Sequence, residues 1–260
     1  MELPLYQIDA FTDRQFGGNP AAVCPLTEWL DDATMQAIAR ENNLSETAFI
    51  VREAESWRIR WFTPATEVKL CGHATLAAAF VYFRHIEPTA TSISFTSLSG
   101  PLQVSRDGER LTLDFPRRNP APEEAPPPLA QALGVTPREV LAIDDWLVLL
   151  DSEQQVRELH PDFTLLRQLP GRGVIVTAEG RDCDFVSRFF APKVGVDEDP
   201  VTGSAHTILT PFWAARLGRK RLRARQLSAR GGELFCELRG DRVAISGTAV
   251  PYLSGRITLE

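Results

Sequence analysis

Trp57, Ile59 and Trp61 alternate with Arg58 and Arg60, a period of two that predicts a strand running into Phe62-Thr63-Pro64. The second half of the chain repeats the arrangement. Cys183, Phe185, Ser187 and Phe189 form one face of a predicted strand that leads into Phe190-Ala191-Pro192. Each Phe-x-Pro is followed by a short loop and a glycine opening an alanine-rich helix, Gly72-His73-Ala74-Thr75 in one half and Gly203-Ser204-Ala205-His206 in the other. Farther on, Arg106-Asp107-Gly108-Glu109-Arg110-Leu111 matches Leu238-Arg239-Gly240-Asp241-Arg242-Val243, each a hairpin turn between alternating strands. Gly72 and Gly108 lie 36 positions apart, Gly203 and Gly240 lie 37 apart, and this agreement of order and spacing predicts a duplicated supersecondary unit.

The expected fold is therefore α+β, in two pseudo-symmetric halves of residues 1–118 and 129–260. In each, mainly antiparallel strands curve around a helix of small residues such as Ala74, Ala77, Ala78 and Ala79, since alanine gains little by exposure. The join is expected in Asn119 to Pro128, where Pro120, Pro122, Pro126, Pro127 and Pro128 disfavour regular hydrogen bonding and read as an extended linker. Which half takes the last strand is left open by the pattern.

Composition narrows the function. With 43% hydrophobic and 24% charged residues the 260-residue chain is ordinary globular protein. The net charge of -6 and the mixing of signs exclude a broad cationic surface, so nucleic acid is not expected as a partner. The densest basic run, Arg219 to Arg225, alternates with Leu222 and Ala224 and reads as a strand with one solvated face. Cys24, Cys71, Cys183 and Cys236 are well separated and contain no CxxC pair, which fits a reduced, cytoplasmic setting. The apolar stretch Leu76 to Phe83 is far short of the roughly 20 residues that cross a bilayer, so no membrane role is expected.

The two predicted helix starts carry chemistry. Unpaired backbone N–H groups and a positive partial charge stabilise an anion there without a cationic side chain, and glycine lets the backbone approach it closely. Packed about a pseudo-twofold axis, Gly72-His73 and Gly203-Ser204 would face one cleft between the halves. The plainer alternative is that Thr202, Ser204 or Asp199 simply caps its helix. Glu46 sits where a predicted helix, with Met35 and Ile38 inward, passes into the apolar Ala48-Phe49-Ile50. Partly withdrawn from water, one carboxyl can serve both as base and as acid, although most glutamates are simply solvated. His73, His85, His160 and His206 lack metal-type spacing, and no phosphate or dinucleotide loop is present, so neither metal nor cofactor is expected. Gly203-Ser204-Ala205-His206 is not the Gly-x-Ser-x-Gly elbow of hydrolases.

Four blocks, Phe16-Gly17-Gly18-Asn19-Pro20-Ala21-Ala22-Val23, Asn42-Asn43-Leu44-Ser45-Glu46-Thr47-Ala48-Phe49, Cys71-Gly72-His73-Ala74-Thr75 and Asp199-Pro200-Val201-Thr202-Gly203-Ser204-Ala205-His206, together resemble the phenazine-biosynthesis PhzF-like family. The resemblance spans most of the chain. It implies the fold of the diaminopimelate epimerases, each half a mixed, mainly antiparallel barrel around a central helix, and a cofactor-independent isomerase acting on a small carboxylate. By that likeness Glu46 is the general acid/base, and His73 and Asp199 orient the substrate and assist. Gly72, Gly203 and Ser204 bind its carboxylate, Asn19 supports binding, and the protein is a homodimer. Epimerases of this fold resemble a pattern with cysteine before glycine at both helix starts. This chain keeps Cys71 but has Thr202 before Gly203, and a threonine hydroxyl is far too weak an acid to replace a thiol. A one-base shuttle through Glu46 follows, with Cys71 read as a small buried residue. The competing expectation is a non-catalytic member of the fold that binds a small anion or a protein.

Overall fold

In the computed structural model, which describes residues 1–260, β1 (Glu2–Ala10) pairs antiparallel with β2 (Asn19–Leu26). Helix α1 (Asp32–Asn42) then returns the chain so that β3 (Glu46–Glu53) lies parallel to β2, with Ala21 opposite Glu46. Strand β4 (Ser56–Phe62) is antiparallel to β3 and carries the short β5 (Glu67–Val68) on its end. Helix α2 (Gly72–Val81) crosses back to β6 (Ser92–Ser97), parallel to β4, and β6, β7 (Gly100–Asp107) and β8 (Arg110–Pro116) continue as hairpins. The chain's final strand, Ala249–Thr258, runs antiparallel to β1 along its length. This unit comprises Met1–Phe115 and Ser246–Glu260.

Pro116–Ile245 form the second unit. It contains β9 (Ala121–Pro122), α3 (Pro128–Leu133), β10 (Glu139–Ala142), β11 (Trp146–Leu149), α4 (Glu153–Arg157), α5 (Phe163–Leu166), β12 (Val174–Glu179), β13 (Phe185–Ala191), β14 (Val196–Asp199), α6 (Gly203–Leu217), β15 (Arg221–Gln226), β16 (Gly232–Arg239) and most of β17 (Arg242–Gly247). The pairing order of the first unit recurs. β10 is antiparallel to β11, β11 parallel to β12, and β12 antiparallel to β13. β13 is antiparallel to β14 and parallel to β15, and β15 is antiparallel to β16. The duplication expected from spacing is thus a duplication of topology, with α2 and α6 as corresponding crossovers.

Two expected boundaries are corrected. The second half does not run to residue 260, because β1 takes the final strand as its second partner, and a β1 without it would present an unpaired edge. The proline-rich stretch is not a free linker. β9 pairs with β10, Pro128 starts α3 at a position where its missing N–H costs nothing, and Glu123 donates its backbone N–H to the Val140 carbonyl. β13 also differs from expectation. Cys183 precedes it, and both faces of the strand are buried: Val186 and Phe190 pack in the cluster with Val148 and Val176, while Phe185 stacks on Trp213 of α6. Strands covered on both sides lose the simple alternation. β15 keeps it, with Arg221, Arg223 and Arg225 exposed.

Both crossover helices are buried along most of their length, and this dictates their placement. His73 to Val81 of α2 are all buried, in contact with β1, β2 and β3, and α6 packs on β15 and β16. Pro211 inside α6 removes the N–H that the Thr207 carbonyl would take, and that carbonyl accepts the backbone N–H of Arg118 instead. His206 is fully buried, with Nδ1 2.8 Å from the Thr202 carbonyl oxygen and no partner on Nε2.

Two outcomes follow. Ala78→Leu forces a larger side chain into a closed helix interface and should cost about 1–3 kcal/mol of stability, read from urea unfolding. Burial pushes the His206 imidazole down from 6.5 to about 4, so the folded ring stays neutral where the unfolded one takes a proton. Stability from His206 is therefore complete above pH 6.5 and is lost as pH falls toward 4, by roughly 3 kcal/mol. Unfolding of wild type and His206→Gln compared across that window should show the difference between them shrink as pH falls; a constant difference refutes it.

Candidate active site

In the first unit, Glu46 is the first residue of β3. Helix α1 starts on Asp31, whose carboxylate accepts the Thr34 N–H, and ends on Asn43 in the left-handed conformation, a residue type that tolerates it. Asn42 Nδ2 then donates to Thr47 Oγ1 at 3.0 Å, tying the helix end to the strand start and fixing Glu46 between them. Asn19 opens the neighbouring parallel strand β2. Cys71 precedes the first turn of α2 in an extended conformation and its side chain does not cap the helix.

These elements gather four side chains. Glu46 Oε2 lies 3.0 Å from His73 Nε2, with side-chain exposures of 16% and 5%. Oε2 is shielded from water and has no aligned hydrogen-bond donor, so the imidazole contact is its main polar neighbour. On the other side of the ring, Asn19 Nδ2 is 3.1 Å and Cys71 Sγ 3.5 Å from Nδ1, and Ser45 Oγ donates to Asn19 Oδ1 at 3.3 Å. Burial disfavours a charge on His73, whereas an ionised Cys71 and the Glu46 carboxylate together would hold the imidazole well above its ordinary value. The sulfur's share of that pull requires a thiolate. Burial, then the charge of Glu46, pushes the Cys71 thiol up to about 11, so near neutral pH it is a thiol. This suits its reading as a buried residue rather than a proton carrier.

In the second unit, Asp199 ends β14 and Gly203 opens α6. Thr202 does not cap α6, because its hydroxyl donates to Asp199 Oδ2. Gln226, buried at the end of β15, holds this corner: its Oε1 accepts the Thr202 N–H at 2.8 Å, and its Nε2 donates to the Asp199 carbonyl oxygen at 2.7 Å. Half-buried Ser204 accepts a hydrogen bond from an Arg172 Nη at 3.0 Å. Arg172 is gripped in turn through two bonds, of 2.9 and 2.5 Å, to Asp145, whose side chain is 0% exposed. A carboxylate so buried is tolerable only when paired in this way.

The first unit therefore brings together Glu46, His73 and Asn19 beside Gly72, and the second brings together Asp199, Gly203 and Ser204. Asn19 is fully buried against His73 and Ser45, inside the cluster rather than on an open face. Arg172, Asp145 and Gln226 were not singled out from sequence. Gln226 carried a usable signal as the inward position of an alternating strand where an apolar residue is expected; the other two lie in loops without periodicity.

A family profile described as phenazine biosynthesis-like protein matches residues 8–255. Among similar proteins, one from Pseudomonas aeruginosa named uncharacterized isomerase is 58% identical, covering the whole of both chains. A human phenazine biosynthesis-like domain-containing protein is 42% identical, covering 99% of this chain and 100% of the other. A solved PhzF-family structure from Enterococcus faecalis aligns at TM-score 0.98 with 48% identity, complete in both chains. A hydroxyproline epimerase from Agrobacterium vitis shares the fold at TM-score 0.63 and 11% identity, covering 98% of this chain and 92% of that one. With the profile spanning nearly its full length and relatives matched end to end, the chain belongs to the phenazine biosynthesis-like PhzF family.

Proposed function

We propose that this protein is a cofactor-independent isomerase that moves a proton between carbons of a small carboxylate substrate, with Glu46 as the acid/base. The observation that carries the reading is the Glu46 carboxylate, largely withdrawn from water and 3.0 Å from His73 at the uncapped start of α2. The isomerase names of its Pseudomonas and Halalkalibacterium relatives support the same class. On this reading Glu46 takes a proton from an acidified C–H bond and returns it to another carbon, while His73 orients the carboxylate. Asp199 orients the substrate. The backbone N–H groups at each helix start, Gly72 in the first unit and Gly203 and Ser204 in the second, are assigned to binding a carboxylate and stabilising charge that spreads toward it as the proton leaves. We read each unit as a mixed, mainly antiparallel barrel closed on its helix, which keeps water from that helix.

Candidate cyclic and amino-bearing carboxylates incubated with the protein in deuterated water should acquire carbon-bound deuterium. Glu46→Gln should slow incorporation by about 10²–10⁴ while ligand binding persists. Exchange at the wild-type rate in that variant removes Glu46 from the mechanism, and no exchange with a carboxylate that demonstrably binds favours a binding protein instead.

A further inference from the structure

The groups around the His73 ring divide by hydrogen-bonding character. On the Nε2 side stands Glu46 Oε2 at 3.0 Å, and an ionised carboxylate only accepts. On the Nδ1 side stand the Asn19 amide nitrogen at 3.1 Å, which only donates, and the Cys71 sulfur at 3.5 Å, a thiol near neutral pH. With the amide turned that way, its oxygen accepts the Ser45 hydroxyl at 3.3 Å. Asn19 is wholly buried, so its amide is not shared with bulk water.

We propose that Asn19, oriented by Ser45, is a positioning residue that holds the single proton of a neutral His73 on Nε2, facing Glu46. Forming the imidazolium requires a proton on Nδ1, which would confront the Asn19 NH₂ unless the amide turned over, with the Ser45 hydroxyl then accepting from the NH₂ instead of donating to the oxygen. Of the groups that would favour the charged ring, the Glu46 carboxylate is in place, whereas a thiolate at Cys71 and a strong acceptor at Nδ1 are missing near neutral pH. The consequence for chemistry rests on the acid/base reading of Glu46. A ring with N–H at Nε2 has no lone pair on the nitrogen nearest the carboxylate, so it cannot take a proton from Glu46 there, leaving the glutamate as the group that carries the proton.

The tautomer is measurable without any substrate, so its failure is separate from failure of the isomerase reading. In protein carrying ¹⁵N-labelled histidine, long-range ¹H–¹⁵N correlation at neutral pH distinguishes protonated from bare ring nitrogens, and the His73 signals are assigned by their loss in His73→Gln. His206 serves as the internal opposite, since its Nδ1 faces the Thr202 carbonyl and its proton belongs on Nδ1. Wild-type His73 should show one proton, on Nε2. Asn19→Asp, which replaces the donor by an acceptor, should protonate both nitrogens, and Ser45→Ala, which frees the amide to turn, should increase the doubly protonated fraction. Unchanged His206 signals in each variant establish that the fold survives. A wild-type His73 protonated on Nδ1 or on both nitrogens overturns the proposal even if no variant folds. An Asn19→Asp protein that keeps the single Nε2 proton removes Asn19 from it.

Discussion

A helix buried from His73 to Val81 has no face to give to water, and strands must surround it. That enclosure sets the conditions for everything at its start. Alanines at 74, 77, 78 and 79 allow the strands to come close, and close strands exclude water from the first turn. In a medium of low polarity the unpaired N–H groups of that turn act at greater strength than they would on a surface. The same exclusion keeps the Cys71 thiol protonated and makes the contact between Glu46 and His73 matter.

Within this dry corner the polar atoms are few and each is constrained by another. Asn42 and Thr47 fix where Glu46 begins β3, and parallel pairing sets Asn19 at the head of the adjacent strand. The imidazole is consequently held from both edges, by a carboxylate on one and by an amide and a thiol on the other. On the proposed reading Glu46 needs such support, because a freely rotating glutamate would spend little time in a productive position.

The second unit keeps the strand order and changes the chemistry. Its helix start is equally uncapped, but the second residue of the helix is Ser204 rather than a histidine, and the histidine at position 206 faces its own backbone. Rigidity there comes from Gln226 across the corner and from the Asp145–Arg172 pair behind Ser204. The two units share one strand order, and on the proposed reading proton chemistry falls to the first and polar anchoring to the second. Thr202 in place of a second cysteine fits this division, since its hydroxyl is committed to Asp199.

Much of this was legible in the chain. Alternation located β4 and β15, glycine followed by small residues located α2 and α6, and the hairpins at Gly108 and Gly240 fell where their spacing required, because these signals depend on near neighbours alone. The four motif blocks singled out Glu46, His73, Asp199 and the helix-opening residues by resemblance, and the structure shows what each of them touches. Tertiary structure decided the return of the last strand to β1, the incorporation of the prolines into the second unit, and the two-sided burial of β13. It also placed Asn19 against the His73 ring and Arg172 behind Ser204, across 54 and 32 positions of sequence. Such pairings depend on strand register and side-chain direction, which are fixed only when distant segments pack together, so no local pattern of residues could contain them.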